Sequence, residues 1–225
     1  MTAPNPKRVA VLISGRGSNM NALIAASMDP AYPARITGVI SNVAAAPGLE
    51  TARSHSIRAE AIPHGDFDSR EAHDEAIHAM LTEMKAELVC LAGYMRIMGE
   101  ALVKRWAGRM INIHPALLPS FKGLNTHARA LQAGVRIHGC SVHFVTPGMD
   151  EGPIIAQAAV PVHPGDSEDT LAARVLAAEH RIYPMALKLV AQGKARMSAG
   201  RVVFADNGSE PTGETVLISP GERRG

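Results

Sequence analysis

The sequence predicts an α/β fold: a Rossmann-like, doubly wound, mostly parallel sheet that becomes mixed, with an antiparallel extension, toward its C-terminal end. Three observations carry that expectation. Apolar β-branched runs alternate with helical patterns through the first half, a glycine-rich turn joins the first strand to the first helix, and strand-like runs follow one another with little helix between them from Met110 onward.

The first strand–helix pairs are residues 9–13 then 20–28, 36–40 then 47–55, and 88–91 then 100–106. Such alternation implies βαβ units, because parallel neighbours need a crossover and the crossing helices cover both faces of the sheet. The helix at 20–28 repeats apolar side chains at Met20, Leu23, Ile24 and Met28, which gives one buried stripe. Asp68 with Glu71 reads as a capping box opening a helix over about 69–84. MINIHPALLP, GCSVHFV and PIIAQAAVPV then supply the extension of the sheet. A long helix over about 168–192 follows, with Ser167 as its N-cap and Glu168 and Asp169 suited to the positive end of its dipole. Residues 206–225 are polar and rich in Gly and Pro, and read as a loosely held tail.

A chain of 225 residues with 46% hydrophobic and 20% charged residues can bury one sizeable core, so residues 1–205 are expected to form a single domain, with halves at about 7–110 and 111–205. The net charge of +2 is close to neutral and the Lys and Arg residues are spread along the chain, which makes nucleic acid a poor partner. The start, MTAPNPKR, has no apolar core of a signal peptide, and no apolar run reaches the roughly 18 residues of a membrane span, so a cytoplasmic protein without a membrane partner is expected. Cys90 and Cys140 sit in apolar runs and read as reduced core residues.

The turn SGRGSN, residues 14–19, leads from strand to helix, where free N–H groups at the helix start can hold an anion. The plain alternative is a tight turn capped by Ser18. Met20 stands where a third glycine of GxGxxG would, the second strand ends in SNV without an acidic residue to hold a ribose, and no GKS or GKT follows. A dinucleotide and a P-loop are thereby disfavoured, and a single monophosphate on the backbone of Gly17, Ser18 and Asn19 remains, with Arg16 either adding charge or facing solvent.

In the strand INIH, Asn112 and His114 are two residues apart and leave the same face near its carboxyl end. Pro115 stops the strand, and open α/β sheets bind ligands beyond that edge. A later loop, TPGMDEGP, supplies Asp150. A carboxylate beside an imidazole favours the imidazolium and an Asn amide offers an N–H donor, so the three could stabilise an oxyanion. His138 and His143, five apart on one strand, point to opposite faces, and His73 with His78 diverge on a helix. With no HExxH or CxxC, no metal is expected.

Five ordered motifs then resemble one family: SGRGSN, LAGYMRIM at 91–98, INIHPALLPSFKGLNTH at 111–127, HGCSVHFVTPGMDEGPIIAQ at 138–157 and GDSEDTLAARVLAAEHRIYP at 165–184. The chain is similar over nearly its whole length to the folate-dependent formyltransferases that act on glycinamide ribonucleotide. The resemblance implies transfer of a formyl group from 10-formyltetrahydrofolate, a co-substrate, to that ribonucleotide's amine. It implies catalysis by Asn112, His114 and Asp150, a phosphate on Gly17, Ser18 and Asn19, and a ribose on Glu179. It also implies a folate held by Met95, Arg96, Ile97, Met98 and Asn112, by the loop of Thr146, Pro147, Gly148, Met149 and Asp150, and by Arg70 at its other end. Lys122 and Pro147 depart from the family's common residues in the folate-side loops. Related enzymes acting on methionyl-tRNA, or hydrolysing the formyl-folate, share the Asn, His and Asp logic but usually carry a further domain. A catalytically silent nucleotide-binding module is the alternative from another class, and monomer and homodimer are both compatible with the sequence.

Overall fold

The computed structural model describes residues 5–205 and Ser219, so the expected tail at 206–225 lies, Ser219 apart, outside the described residues. Strands β1 (Lys7–Ile13), β2 (Ala34–Ser41), β3 (Arg58–Ala61), β4 (Leu88–Leu91), β5 (Met110–His114), β6 (Ile137–Phe144) and β7 (Ile154–Pro161) form one seven-stranded sheet in the order β3-β2-β1-β4-β5-β6-β7. The first five run parallel. β6 then pairs antiparallel with β5, and β7 with β6, so the sheet is mixed where the run of strand-like segments predicts it. The winding reverses between β1 and β4, which opens a crevice at their carboxyl ends.

Helices α1 (Ser18–Ser27), α2 (Pro47–Ser54), α3 (Arg70–Glu83), α4 (Glu100–Arg105), α5 (Thr126–Gln132) and α6 (Glu168–Ala191) cover the two faces. Alternation along β1 sorts its side chains between two cores. Val9, Val11 and Ile13 pack with Met20, Leu23 and Ile24 of α1 and with Leu171, Val175 and Tyr183 of α6. Ala10 and Leu12 pack with Ile77 and Leu81 of α3 and Leu102 of α4. Burial on both faces is why β1 reads as a continuous apolar run. Each such Leu or Ile contributes about 2 kcal/mol relative to leaving it in water. Cys90 and Cys140 are free and buried, and burial pushes both thiols up to about 12.

Four local features depart from the sequence reading. The N-cap of α3 is Ser69, whose side chain accepts from the Ala72 N–H, so the Asp68–Glu71 capping box is not formed. The strand β3, the seven-residue helix α5 and the hairpin of β8 (Ala195–Ser198) with β9 (Arg201–Phe204) are additional elements. By contrast, Ser167 caps α6 and forms a capping box with Thr170. That helix runs through Pro184, whose carbonyl accepts 2.7 Å from the Tyr32 hydroxyl. One residue earlier, the buried Tyr183 hydroxyl lies 2.9 Å from the Leu91 carbonyl and 3.2 Å from that of Ile111, tying α6 to β4 and β5.

Candidate active site

The turn between β1 and α1 is shaped by Gly17, which sits at φ 71° and ψ 38° as the N-cap of the helix. That left-handed conformation suits glycine, and an added Cβ would also lie 3.0 Å from the Met20 methyl. No side chain caps α1, and Ser18 is its first residue instead of its cap. The first N–H groups of the helix therefore keep their capacity for an anion. Asn19 is buried, and its Nδ2 donates 2.7 Å to Oε2 of the buried Glu179 on α6. Burial raises the Glu179 carboxyl above its ordinary range, and the Asn19 hydrogen bond opposes the shift. Arg16 is exposed.

The segment after β4 lies against this turn. Ser14 Oγ donates to Asn42 Oδ1 at 2.5 Å and accepts from the Met95 N–H at 2.7 Å, while the Ser14 N–H donates to the Gly93 carbonyl at 3.1 Å. Met95 and Ile97 stay exposed, Arg96 is half-buried, and Met98 packs on the α3 side of the sheet. At the end of this segment the Gly99 N–H donates 2.6 Å to Oδ2 of Asp74. Arg70, exposed one turn earlier on α3, has its Cδ 4.0 Å from where a Cβ on Gly99 would stand. The structure thus brings Arg70 to the end of the 95–98 segment.

Side chains of β5 and β6 build the neighbouring rim. Leu91 of β4 pairs with Asn112, and across the antiparallel ladder Asn112 faces His143 while His114 faces Ser141. Asn112 and His114 thus share a face with their cross-strand partners. His114 is buried with Nε2 3.0 Å from the Phe121 carbonyl and Nδ1 3.4 Å from Oδ2 of Asp150. A carbonyl only accepts, so Nε2 carries a proton and Nδ1 is the nitrogen turned toward the carboxylate.

Two loops cross to place Asp150. Its backbone is left-handed, φ 53°, and Oδ2 accepts 2.8 Å from the Gly123 N–H. Lys122 pairs with Glu151 at 2.9 Å, so a residue that departs from the family pattern joins the two loops. Gly152 lets the chain return to β7, because a Cβ there would lie 1.6 Å from the Phe144 carbonyl oxygen. Thr146 and Gly148 of this loop are half-buried, and Pro147 and Met149 are exposed. Asn112, His114 and Asp150, chosen from sequence, are brought together.

His143 joins them, although its spacing from His138 gave no reason to select it. Its Nε2 lies 3.2 Å from Asn112 Nδ2 and 3.7 Å from Asp150 Oδ1, and its Nδ1 lies 2.9 Å from the Phe144 carbonyl. Desolvation lowers the pKa of this ring, against smaller opposing effects of the Phe144 carbonyl and Asp150. Only the β5–β6 register reveals the position. The whole rim offers N–H donors beside a carboxylate in a largely buried setting, the pattern that stabilises negative charge developing on a carbonyl oxygen. Among the described residues, no group of three or more His, Cys, Asp and Glu is placed to hold a metal, and no helix is long and apolar enough to cross a membrane.

Residues 7–187 match the family model described as formyl transferase. The chain is 50% identical over 202 residues to the trifunctional purine biosynthetic protein adenosine-3 of Bos taurus, covering 89% of this chain but 20% of that protein, so it spans about a fifth of that relative. It is 47% identical over 189 residues to phosphoribosylglycinamide formyltransferase of Escherichia coli, covering 84% of this chain and 89% of that enzyme. Among solved structures, glycinamide ribonucleotide transformylase 1 from Symbiobacterium toebii superposes with a TM-score of 0.88 at 45% identity, covering 91% of this chain and 96% of that one.

Proposed function

The chain belongs to the formyl transferase family, and from that premise we propose that it transfers the formyl group of 10-formyltetrahydrofolate to the amine of glycinamide ribonucleotide, yielding N-formylglycinamide ribonucleotide and tetrahydrofolate in purine biosynthesis. The observation that carries this reading is the convergence of Asn112, His114 and Asp150 at the carboxyl rim of the sheet, with His114 Nδ1 3.4 Å from Asp150.

In the reaction, the ribonucleotide amine attacks the formyl carbon directly. A C–N bond forms, negative charge develops on the formyl oxygen, and the bond to the folate N10 breaks. Asn112 donates from its amide and His114, doubly protonated in this step, from Nδ1 to that oxygen, donors worth about 3 to 4 kcal/mol each where such groups have been removed from enzymes. Asp150 orients the His114 ring and takes the proton that the amine loses, which passes on to N10 through it or through water. No nucleophilic side chain is required, so the reaction proceeds in a ternary complex without a formyl-enzyme.

Binding divides along the crevice. The N–H groups of Gly17, Ser18 and Asn19 hold the phosphate, and Glu179, with Oε2 engaged by Asn19, offers Oε1 to the ribose. The folate lies between residues 95–98 and the loop 146–150, where the exposed Met95, Ile97 and Met149 suit a flat heteroaromatic ring and Arg70 suits an anionic tail. Residues 1–205 act as one domain in the cytoplasm, with no nucleic acid or membrane partner.

The test is spectroscopic release of tetrahydrofolate with and without glycinamide ribonucleotide. Release that requires the ribonucleotide supports the proposal. Hydrolysis without the amine makes the chain a deformylase, and binding of both ligands without turnover makes it a silent module.

A further inference from the structure

We infer that His143 is a positioning residue for Asn112: its neutral ring, held as the Nδ1–H tautomer by the Phe144 carbonyl, presents Nε2 as an acceptor that fixes which way the Asn112 amide faces. The inference rests on the oxyanion role proposed for Asn112 and deepens it, since an amide can serve as a donor only if its nitrogen, and not its oxygen, is held in place.

Donors and acceptors fix the tautomer of the ring. Nδ1 of His143 is 2.9 Å from a carbonyl oxygen, which can only accept, so Nδ1 carries a proton. In the neutral ring this leaves a lone pair on Nε2, and the group 3.2 Å away is the Asn112 side-chain nitrogen, which can only donate. One N–H of Asn112 is thereby committed to His143 and the second is left for the substrate oxygen. A protonated ring would place a donor at Nε2, and the amide would have to turn over, carrying Nδ2 away from its place.

The surroundings favour the neutral ring. His143 is 3% exposed, and its burial holds the pKa below the ordinary histidine range. The charged or titratable groups facing it are Asp150 from the loop, at 3.7 Å and beyond hydrogen-bond reach, and His114 from β5. His114 opposes protonation, and the carboxylate's pull is smaller than the desolvation. Gly152 keeps the Phe144 carbonyl accessible to Nδ1, because a side chain there would overlap that oxygen.

Two measurements on the full chain test this. Nitrogen NMR of the imidazoles at pH 7.5 is expected to show His143 protonated at Nδ1 and bare at Nε2; an Nε2–H tautomer or a charged ring overturns the inference. In steady-state kinetics, His143→Phe is expected to lower kcat about 10- to 100-fold with KM for both substrates within about threefold, because orientation of one oxyanion donor is lost. His143→Gln, whose side-chain oxygen can occupy the place of Nε2, is expected to restore kcat to within about threefold of wild type. On an Asn112→Ala background the His143→Phe change should cost no more than about twofold, and a full additional loss there overturns the inference. Should the Phe variant not fold, the Gln variant and the tautomer still decide. Normal turnover by Asn112→Ala, with the tautomer as expected, defeats the oxyanion assignment and this inference with it, whereas a slowed but measurable Asn112→Ala with additive losses defeats the role of His143 alone.

Discussion

The two neighbouring parts of the sheet's carboxyl edge are made of different materials. At the β1–α1 turn the available groups are backbone N–H donors, supported by an amide–carboxyl pair, Asn19 and Glu179, that is shielded from water. At the β5–β6 rim they are ionisable side chains: His114 and His143, each within 3.7 Å of Asp150. Backbone donors hold an anion at any pH near neutrality and cannot move a proton, while imidazoles and carboxylates can. The difference assigns binding to the first region and chemistry to the second, and each assignment can be broken separately.

The largest expected effect belongs to the rim. His114→Ala should lower kcat by about a hundredfold or more while the protein remains folded. Stopped-flow or steady-state turnover checks this, and a variant with near-wild-type turnover would move the chemistry elsewhere.

Next comes pH, to which the two regions respond with opposite sign. Behind the rim, burial lowers His138 from 6.5 to about 4, and His127 and His143 shift the same way. A group whose folded pKa is depressed contributes stability that is full above its unfolded value and lost as pH falls toward the folded one. From His138 alone, unfolding free energy should drop by about 2 kcal/mol between about pH 7 and 5. Denaturant titrations of His138→Phe should show most of that dependence gone. Glu179 has the reverse linkage, since its folded pKa is raised and its contribution is lost as pH rises. A Glu179→Gln variant whose stability relative to wild type falls with rising pH would contradict this.

Glu179→Gln also sharpens the division of labour. It should raise KM for the ribonucleotide about tenfold, the scale of a hydrogen bond to a charged group, and leave kcat within about threefold. A fall in kcat with unchanged KM would mean that the turn region takes part in the chemistry. The smallest effect is expected where the regions are joined. Tyr183→Phe removes the hydroxyl shared between the Leu91 and Ile111 carbonyls and should cost about 1 kcal/mol, read by thermal or urea unfolding.

Legibility followed the range of the interaction. β1, β4 and α6 were readable because burial writes a continuous or periodic apolar pattern, and the Ser167 cap of α6 because its partner Thr170 is three residues away. β3 is a four-residue RAEA and α5 a seven-residue THARALQ, both too short for a period to declare itself. At α3 the carboxylate at Asp68 and the hydroxyl at Ser69 are one residue apart, and only the backbone path decides that Ser69 is the cap.

Sequence by itself determined that Asn112 and His114 share a face, because strand side chains repeat every two residues, and that a glycine-rich turn joins the first strand to the first helix. Tertiary structure decided everything that depends on register and approach. It set Asp150 3.4 Å from His114, His143 across the ladder from Asn112, and Asn19 on Glu179 at a separation of 160 residues. The physical reason is that local pattern encodes which way a side chain points relative to its own strand or helix. Which partner it meets is fixed by how antiparallel strands slide into register and where a helix seats on the sheet, and those are settled by the packing of the whole core.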